Sequence, residues 1–352
     1  MLALLPFFTS FLICGLMFYS KHLHLHLSGD YALSGPQKIH QDVVPRIGGL
    51  GIYMGLLLGL CFLFFLNNLI ALYYFYFFVA SLPIFASGLA EDLTKKIDVA
   101  YRFASSICSS LIFIWLFDIQ SIRVDVVFLD TILKNQWITF AFLSFAISGV
   151  TNAYNIIDGI NGLASMIAII CLSAILYVSM QMNDNLLIYS ALISLGAIFG
   201  FFVWNFPRGL IFLGDSGAYL IGFIVAVLSV LLVIRNEMVS PWFVLLLNAY
   251  PILETIFTIW RRFFRRGKNA TKPDRTHLHS LIFRRLKKRV IYNNELTSNY
   301  SYNAKSSLYL WILSFTNFVP AILWWNSSII LMICTTIFTI IYLYIYIRLL
   351  RF

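Results

Sequence analysis

The acids, amides and histidines that stand at the ends of apolar runs, where this chain could do chemistry, fall in four short stretches. Glu91 and Asp92 stand in GLAEDLTKKID, Asn152, Asn155, Asp158 and Asn161 in TNAYNIIDGINGLA, Asp215 in FLGDSGAYLIGF, and His277 and His279 in PDRTHLHSLI. Carboxylates with amide oxygens suit a hard cation such as Mg2+, which takes few protein ligands and leaves its other positions to phosphate oxygens. Lys95, Lys96, Arg102 and a basic cluster from Arg261 to Arg289 supply positive charge for an anionic partner. A divalent cation, basic side chains and an acid are the apparatus of phosphoryl transfer, in which catalysis is mostly positioning and charge neutralisation. Each stretch also has a plain structural use. Glu91-Asp92 would make an interfacial turn after Gly88, Asp215 would cap a helix, and Asn152 with Asn155, three apart, would bond neighbouring helices. The case for chemistry rests on their combination.

The elements that position these residues are set by composition. The chain has 352 residues, 60% hydrophobic and only 11% charged, against an average near 25% charged in soluble domains. Its mean hydropathy is +0.84, so lipid is the solvent for most of it; soluble globular and disordered classes are excluded. Apolar segments of spanning length run at 2–19, 48–66, 69–89, 100–117, 137–154, 164–181, 186–204, 217–234, 241–260, 308–325 and 329–347. The expectation is one all-α polytopic membrane domain, 1–352, of about eleven transmembrane helices, with a long basic loop at 261–307. The first segment lacks a basic n-region and a small-residue cleavage site, and reads as a retained span. The five cysteines lie singly in apolar runs, which gives neither disulfides nor a zinc site.

Alternate loops differ sharply in charge. One side receives 22 of the 25 lysines and arginines; the other holds Arg123, Lys134 and Arg235. Basic loops stay cytoplasmic, so the N-terminus is expected outside and the C-terminus inside, with all four motif stretches at the cytoplasmic face. The net charge of +10 therefore speaks for membrane orientation; no nucleic-acid partner is expected.

From VPRIGGLGIY near residue 44 to HLHSLI near residue 282, the sequence resembles the polyprenyl-phosphate N-acetylhexosamine-1-phosphate transferases. PRIGG, the acidic pair with Lys95 after it, NAYNIIDGINGLA, FLGDSG and PDRTHLH recur in family order. The resemblance implies a Mg2+-dependent enzyme of the bacterial inner membrane, working on its cytoplasmic face. It would move a sugar-1-phosphate from a UDP-HexNAc donor to undecaprenyl or another polyprenyl phosphate, releasing UMP and starting a glycan such as O-antigen. It is compatible with a homodimer. By residue, it implies Asp215 as principal metal ligand with Asn155 assisting, and Asp92 with Glu91 as the acidic pair at the lipid phosphate. That phosphate is already mostly ionised at neutral pH, which favours positioning over proton abstraction. Lys95 would bind phosphate; Asn152, Asp158, Gly159 and Asn161 would line the nucleotide-sugar site, with Asp158 a candidate catalytic acid; Phe212 would stack on uracil; Arg275, His277 and His279 would contact phosphate or sugar.

The chain departs from the family pattern in three places. Glu91 stands where the acidic pair usually begins with Asp, Asn161 where many members have a second Asp, and Ser280 where a further His is common. The histidine motif resembles that of the initiating GlcNAc-type transferases more than the pentapeptide translocase. His22, His24 and His26 alternate in KHLHLHL, a spacing that scatters side chains around a helix, and read as an interfacial segment. Glu254, an acid inside the ninth span, is expected either to pair with Arg261 along the helix or to face the lipid-phosphate groove. The rival class is a transporter or flippase, whose polar residues would sit near the bilayer midplane, often in inverted repeats; here they gather at one face.

Overall fold

The computed structural model describes residues 1–30, 43–263, 276–292 and 299–350. Fifteen helices and one two-residue antiparallel pairing, β1 (Gly29–Asp30) on β2 (Val44–Pro45), make up the secondary structure among these residues. Among the described residues nine helices are long and apolar enough to cross a membrane, and two bent pairs bring the total to as many as eleven. They are α3 (Gly48–Leu66), α4 (Asn68–Thr94), α5 (Val99–Leu116), α7 (Gln136–Ile157), α8 (Leu163–Gln181), α9 (Asn185–Asn205), α10 (Gly214–Arg235), α14 (Asn299–Leu323) and α15 (Ser328–Leu350). The bent pairs are α1 (Leu4–Tyr19) with α2 (Lys21–Ser28), at 90°, and α11 (Pro241–Leu247) with α12 (Ala249–Arg261), at 70°. Short α6 (Val127–Ile132) and α13 (Leu278–Tyr292) complete the set.

Local chemistry explains the breaks. The close pair of spans at 48–89 divides at Asn67, whose Oδ1 accepts the N–H groups of Leu69 and Ile70 and starts α4. Past the α1–α2 bend, His24 touches the backbone oxygen of Met17 through Nε2 and Ser28 Oγ through Nδ1, so the central histidine of KHLHLHL fastens the corner.

Helix α10 is the axis of the bundle. Nearly every residue from Gly214 to Val233 is buried, and α3, α4, α7, α8 and α9 pack around it. Helix α15 lies at the rim and buries one stripe, Leu331, Phe338, Tyr342 and Tyr346. At Gly88, α4 comes so close to α10 that a Cβ would fall 2.6 Å from Ser216 Cα. That approach decides where Asp92, one turn further on, must point.

The expected loop at 261–307 contains α13, and α14 begins at Asn299, earlier than hydropathy places the tenth span. Near its start Asn303 and Ser307 are polar and buried against protein: Ser307 Oγ donates to the carbonyl of Asn161 at 2.6 Å, and Asn303 Oδ1 accepts the Asn161 N–H at 2.7 Å. A hydropathy window cannot see a polar helix end that protein covers.

The end of the bundle opposite these motifs is held by structural pairings. Arg235 Nε meets Asp184 Oδ2 at 2.7 Å, and Trp242 Nε1 donates to the Val124 carbonyl at 3.0 Å.

Candidate active site

The four motif stretches converge. Asp92 is fully buried, and its carboxylate accepts the backbone N–H of Asp215 at 2.7 Å through Oδ1 and that of Ser216 at 2.9 Å through Oδ2; the Ser216 hydroxyl adds a bond at 2.5 Å to Oδ2. Asp92 thus caps α10 from a different helix, placing negative charge on the positive end of the helix dipole. The role of cap is therefore not Asp215's own: Asp215 is the second residue of the helix, and the N-cap position falls to Leu213, which makes no side-chain cap.

Freed from capping, the Asp215 carboxylate faces cations. Its Oδ1 pairs with the Arg46 guanidinium and its Oδ2 with that of Arg102. Arg46 reaches Asp92 as well, Nε to Oδ1 at 3.5 Å, and the Arg102 guanidinium lies over the Tyr219 ring, 5.9 Å from its centroid. Arg46 is delivered by a backbone zipper. Phe212 N–H donates to the Pro45 carbonyl, Gly48 N–H to that of Phe212 and Gly49 N–H to that of Leu213, at 2.9, 2.9 and 3.0 Å. Phe212 is partly exposed beside this zipper.

Glu91 serves the turn after α4, accepting the Ile97 N–H at 2.7 Å. The turn needs Lys95 in the left-handed region, φ 55°, and the Lys95 ammonium donates to the Gly29 carbonyl. Asn152 points between helices, its Nδ2 donating to the Ser148 carbonyl at 2.7 Å and reaching Ser106 Oγ at 3.4 Å. Asn155 meets the Tyr219 hydroxyl, one turn along α10 from Asp215. Asn161 is buried, and its Nδ2 donates to the Pro207 carbonyl at 3.1 Å.

Asp158 ends α7, with its carboxyl near Arg46 and Asp92. Burial pushes that carboxyl up to about 7, with the Arg46 charge opposing and the Asp92 charge adding to the rise. Next to it, Gly159 carries no side chain because His279 is there: a Cβ would fall 2.2 Å from its Nε2. The rings of His277 and His279 stack, centroids 5.3 Å apart and planes within 5°. Burial, and then the neighbouring His277, pull the His279 imidazole down to about 3, with Glu254 opposing, so it is neutral at physiological pH. Arg275 lies outside the described residues.

Glu254 settles on the histidine segment. Its Oε1 meets His277 Nδ1 at 3.0 Å and accepts the Leu278 N–H at 3.1 Å, while Oε2 accepts the Tyr342 hydroxyl at 2.8 Å.

Among the described residues no three His, Cys, Asp or Glu side chains gather into a metal cage. Mg2+ does not need one, since it is commonly held by one or two carboxylates together with substrate phosphates. The residues fit that mode. Asp215 is 3% exposed, and its two oxygens draw two separate guanidiniums, which shows a carboxylate placed to receive cationic charge.

Sequence reasoning passed over Arg46, Ser216, Tyr219 and Tyr342. Arg46 stood within the quoted PRIGG motif beside no acid in sequence, and only the fold carries it to Asp92 and Asp215. Ser216 and Tyr219 follow Asp215 on the same helix, where only Tyr219, four residues on, had a spacing signal.

The fold is an all-α polytopic bundle that gathers carboxylates, amides, arginines and histidines at one end, a set of groups suited to phosphate. The sequence model of glycosyl transferase family 4 matches residues 74–233. The undecaprenyl-phosphate alpha-N-acetylglucosaminyl 1-phosphate transferase of Thermotoga maritima is 30% identical over 252 residues, covering 72% of each chain. The Escherichia coli K12 protein of the same description is 27% identical over 266 residues, 70% of this chain and 67% of that one. The decaprenyl-phosphate N-acetylglucosaminephosphotransferase of Mycobacterium tuberculosis H37Rv is 29% identical over 280 residues, 71% of this chain and 68% of that one. The chain thus spans about two thirds of the length of the relatives it matches. It belongs to glycosyl transferase family 4, among the polyprenyl-phosphate N-acetylhexosamine-1-phosphate transferases.

Proposed function

We propose that this protein transfers N-acetylhexosamine-1-phosphate from a UDP-sugar to a polyprenyl phosphate at the cytoplasmic face of the bacterial inner membrane, releasing UMP. The observation that carries the reading is the cluster around Arg46: Asp92 and Asp215 touch it, Arg102 closes on Asp215, and Asp158 lies near. Alternating acids and guanidiniums at one end of a membrane bundle suit a pyrophosphate donor that meets a lipid phosphate. The names of the relatives supply the acceptor class and N-acetylglucosamine as the default sugar. The product would start a lipid-linked cell-surface glycan such as O-antigen.

In the reaction an oxygen of the acceptor phosphate bonds to the sugar-side phosphorus of the donor. The bond from that phosphorus to the bridging oxygen breaks, and the bridging oxygen leaves on UMP. Arg46 and Arg102 bind and orient the phosphates and neutralise their charge. Asp92 fixes the first turn of α10 and so the position of Asp215. Lys95 binds phosphate, while Glu91 shapes the turn that carries it. Gly159, Asn161 and Phe212 border the donor, and His277 and His279 contact it. Asp215 with Asn155 would hold Mg2+, which when bound supplies charge neutralisation at the pyrophosphate.

The test is UMP release by the purified protein from UDP-N-acetylglucosamine, with and without polyprenyl phosphate. Release that depends on the lipid phosphate is expected. A protein that moves a lipid or anion across vesicles yet leaves the nucleotide-sugar whole would instead be the transporter.

A further inference from the structure

Glu254 lies well outside the matched residues 74–233, is fully buried, and yet has both carboxylate oxygens committed. Around it three groups converge from two places in the chain: the His277 ring and the adjacent Leu278 backbone N–H, and the Tyr342 hydroxyl of α15. A buried carboxylate in a lipid-spanning helix is costly unless its oxygens are satisfied. Here they are satisfied by the segment that brings the histidines to the site. The same segment is held at its other edge, where the Thr276 carbonyl accepts from Arg261 at 2.8 Å and from the Tyr346 hydroxyl at 2.7 Å.

We propose that Glu254 is a positioning residue for transfer: it fixes the ring of His277 with the proton on Nδ1, leaving Nε2 for an oxygen of the donor. A carboxylate that meets only donors serves as acceptor at each contact, so the His277 nitrogen facing it carries hydrogen. With Nδ1 committed, the ring cannot turn. Its plane is then passed to His279 by the 5.3 Å stack, and His279 abuts Gly159. An orientation set between α12 and the rim helix α15 thus reaches the end of α7, where Asp158 stands. The tie to α15 gives the last span a part in the active site, which its apolar sequence alone does not suggest.

The inference rests on the proposed reaction, so its test has one arm independent of turnover. In 15N-histidine-labelled protein, with the His277 signals assigned by their loss in His277→Gln, Nδ1 of His277 should carry the proton. A bare Nδ1 in the parent would overturn the proposal whatever the enzyme does. The second arm is a double-mutant cycle on UMP release. Glu254→Gln and His277→Gln should each lower kcat by about tenfold to a hundredfold, the scale for a displaced orienting partner, and the double variant should be no slower than the slower single. Losses that multiply, or a Glu254→Gln protein with parental kcat and only a lower Tm, would overturn it. If the parent releases no UMP, the proposed reaction fails, while the labelled-histidine arm still decides the pairing.

Discussion

Asp92 on α4 holds the first turn of α10 through the backbone N–H groups of Asp215 and Ser216, at 2.7 and 2.9 Å, so that Asp215 is positioned by another acid and does not cap its own helix. This division of labour separates two carboxylates that sequence alone cannot rank. Asp92→Asn leaves an amide group facing donors and should lower Tm as well as activity. The stability cost should be about 1–2 kcal/mol, the scale of a lost cap or an unmatched buried bond. Thermal melting in detergent beside turnover checks it; an unchanged Tm would contradict the cap.

Asp215→Asn should behave the other way. It removes charge from a group that α10 does not need as a cap, so the variant should insert and keep the first turn of α10, with Tm lowered only through the lost pairing with Arg46 and Arg102. Its turnover should fall by at least about a hundredfold, the scale for one strong electrostatic contributor, and added Mg2+ should restore little. Near-parental turnover at ordinary Mg2+ would remove the ligand assignment.

The raised Asp158 carboxyl predicts a pH-dependent stability. Its folded value of about 7 lies above the usual 3.8, so between those values the folded protein holds a proton that the unfolded chain has lost. Stability contributed by this group therefore falls as pH rises through that window and is flat above it. Without added metal, Tm of the parent should drop from pH 5 to 8 relative to Asp158→Asn. Parallel curves for the two proteins would show that Asp158 is not the group responsible.

Gly159 and His279 should fail together. Gly159→Ala puts a methyl where His279 Nε2 lies 2.2 Å away, so the ring must move and turnover should fall by about tenfold or more. In a His279→Ala background the same change should cost almost nothing further. Equal losses in both backgrounds would mean that the methyl acts on something else.

Orientation in the membrane can be checked by single-cysteine labelling. A cysteine at residue 96 should react from the cytoplasmic side and one at residue 134 from the other, as the distribution of 22 cations against 3 requires. Reaction of residue 96 from outside would move the site to the wrong face for a nucleotide donor.

Much of this architecture was legible in the sequence because lipid enforces a simple rule: spans must be long, apolar and helical. The division of the spans on either side of Asn67 followed from it, and the grouping of the four polar stretches from the bias of lysine and arginine between alternate loops. The start of α14 did not, because Asn303 and Ser307 are polar groups buried on Asn161 and hydropathy reads them as loop. Asp92, in the acidic pair with Glu91, and Asp215 each stand out in the sequence as acids in an apolar chain, but which one caps α10 depends on the approach of α4 at Gly88, a contact between residues more than a hundred positions apart. Glu254 was visible as an intramembrane acid. Its partner was not, since the His277 segment and Tyr342 reach it only through the folded chain.

The central claim is that phosphorus moves with the sugar, and donor labelling tests it most directly. UDP-N-acetylglucosamine carrying 32P at the sugar-side phosphate should pass its label to the polyprenyl lipid when incubated with the purified protein and polyprenyl phosphate. The same donor labelled at the uridine-side phosphate should leave all of its label on UMP. Label from the sugar-side phosphate that stays with the nucleotide, as UDP, would show transfer of the sugar alone and contradict the account.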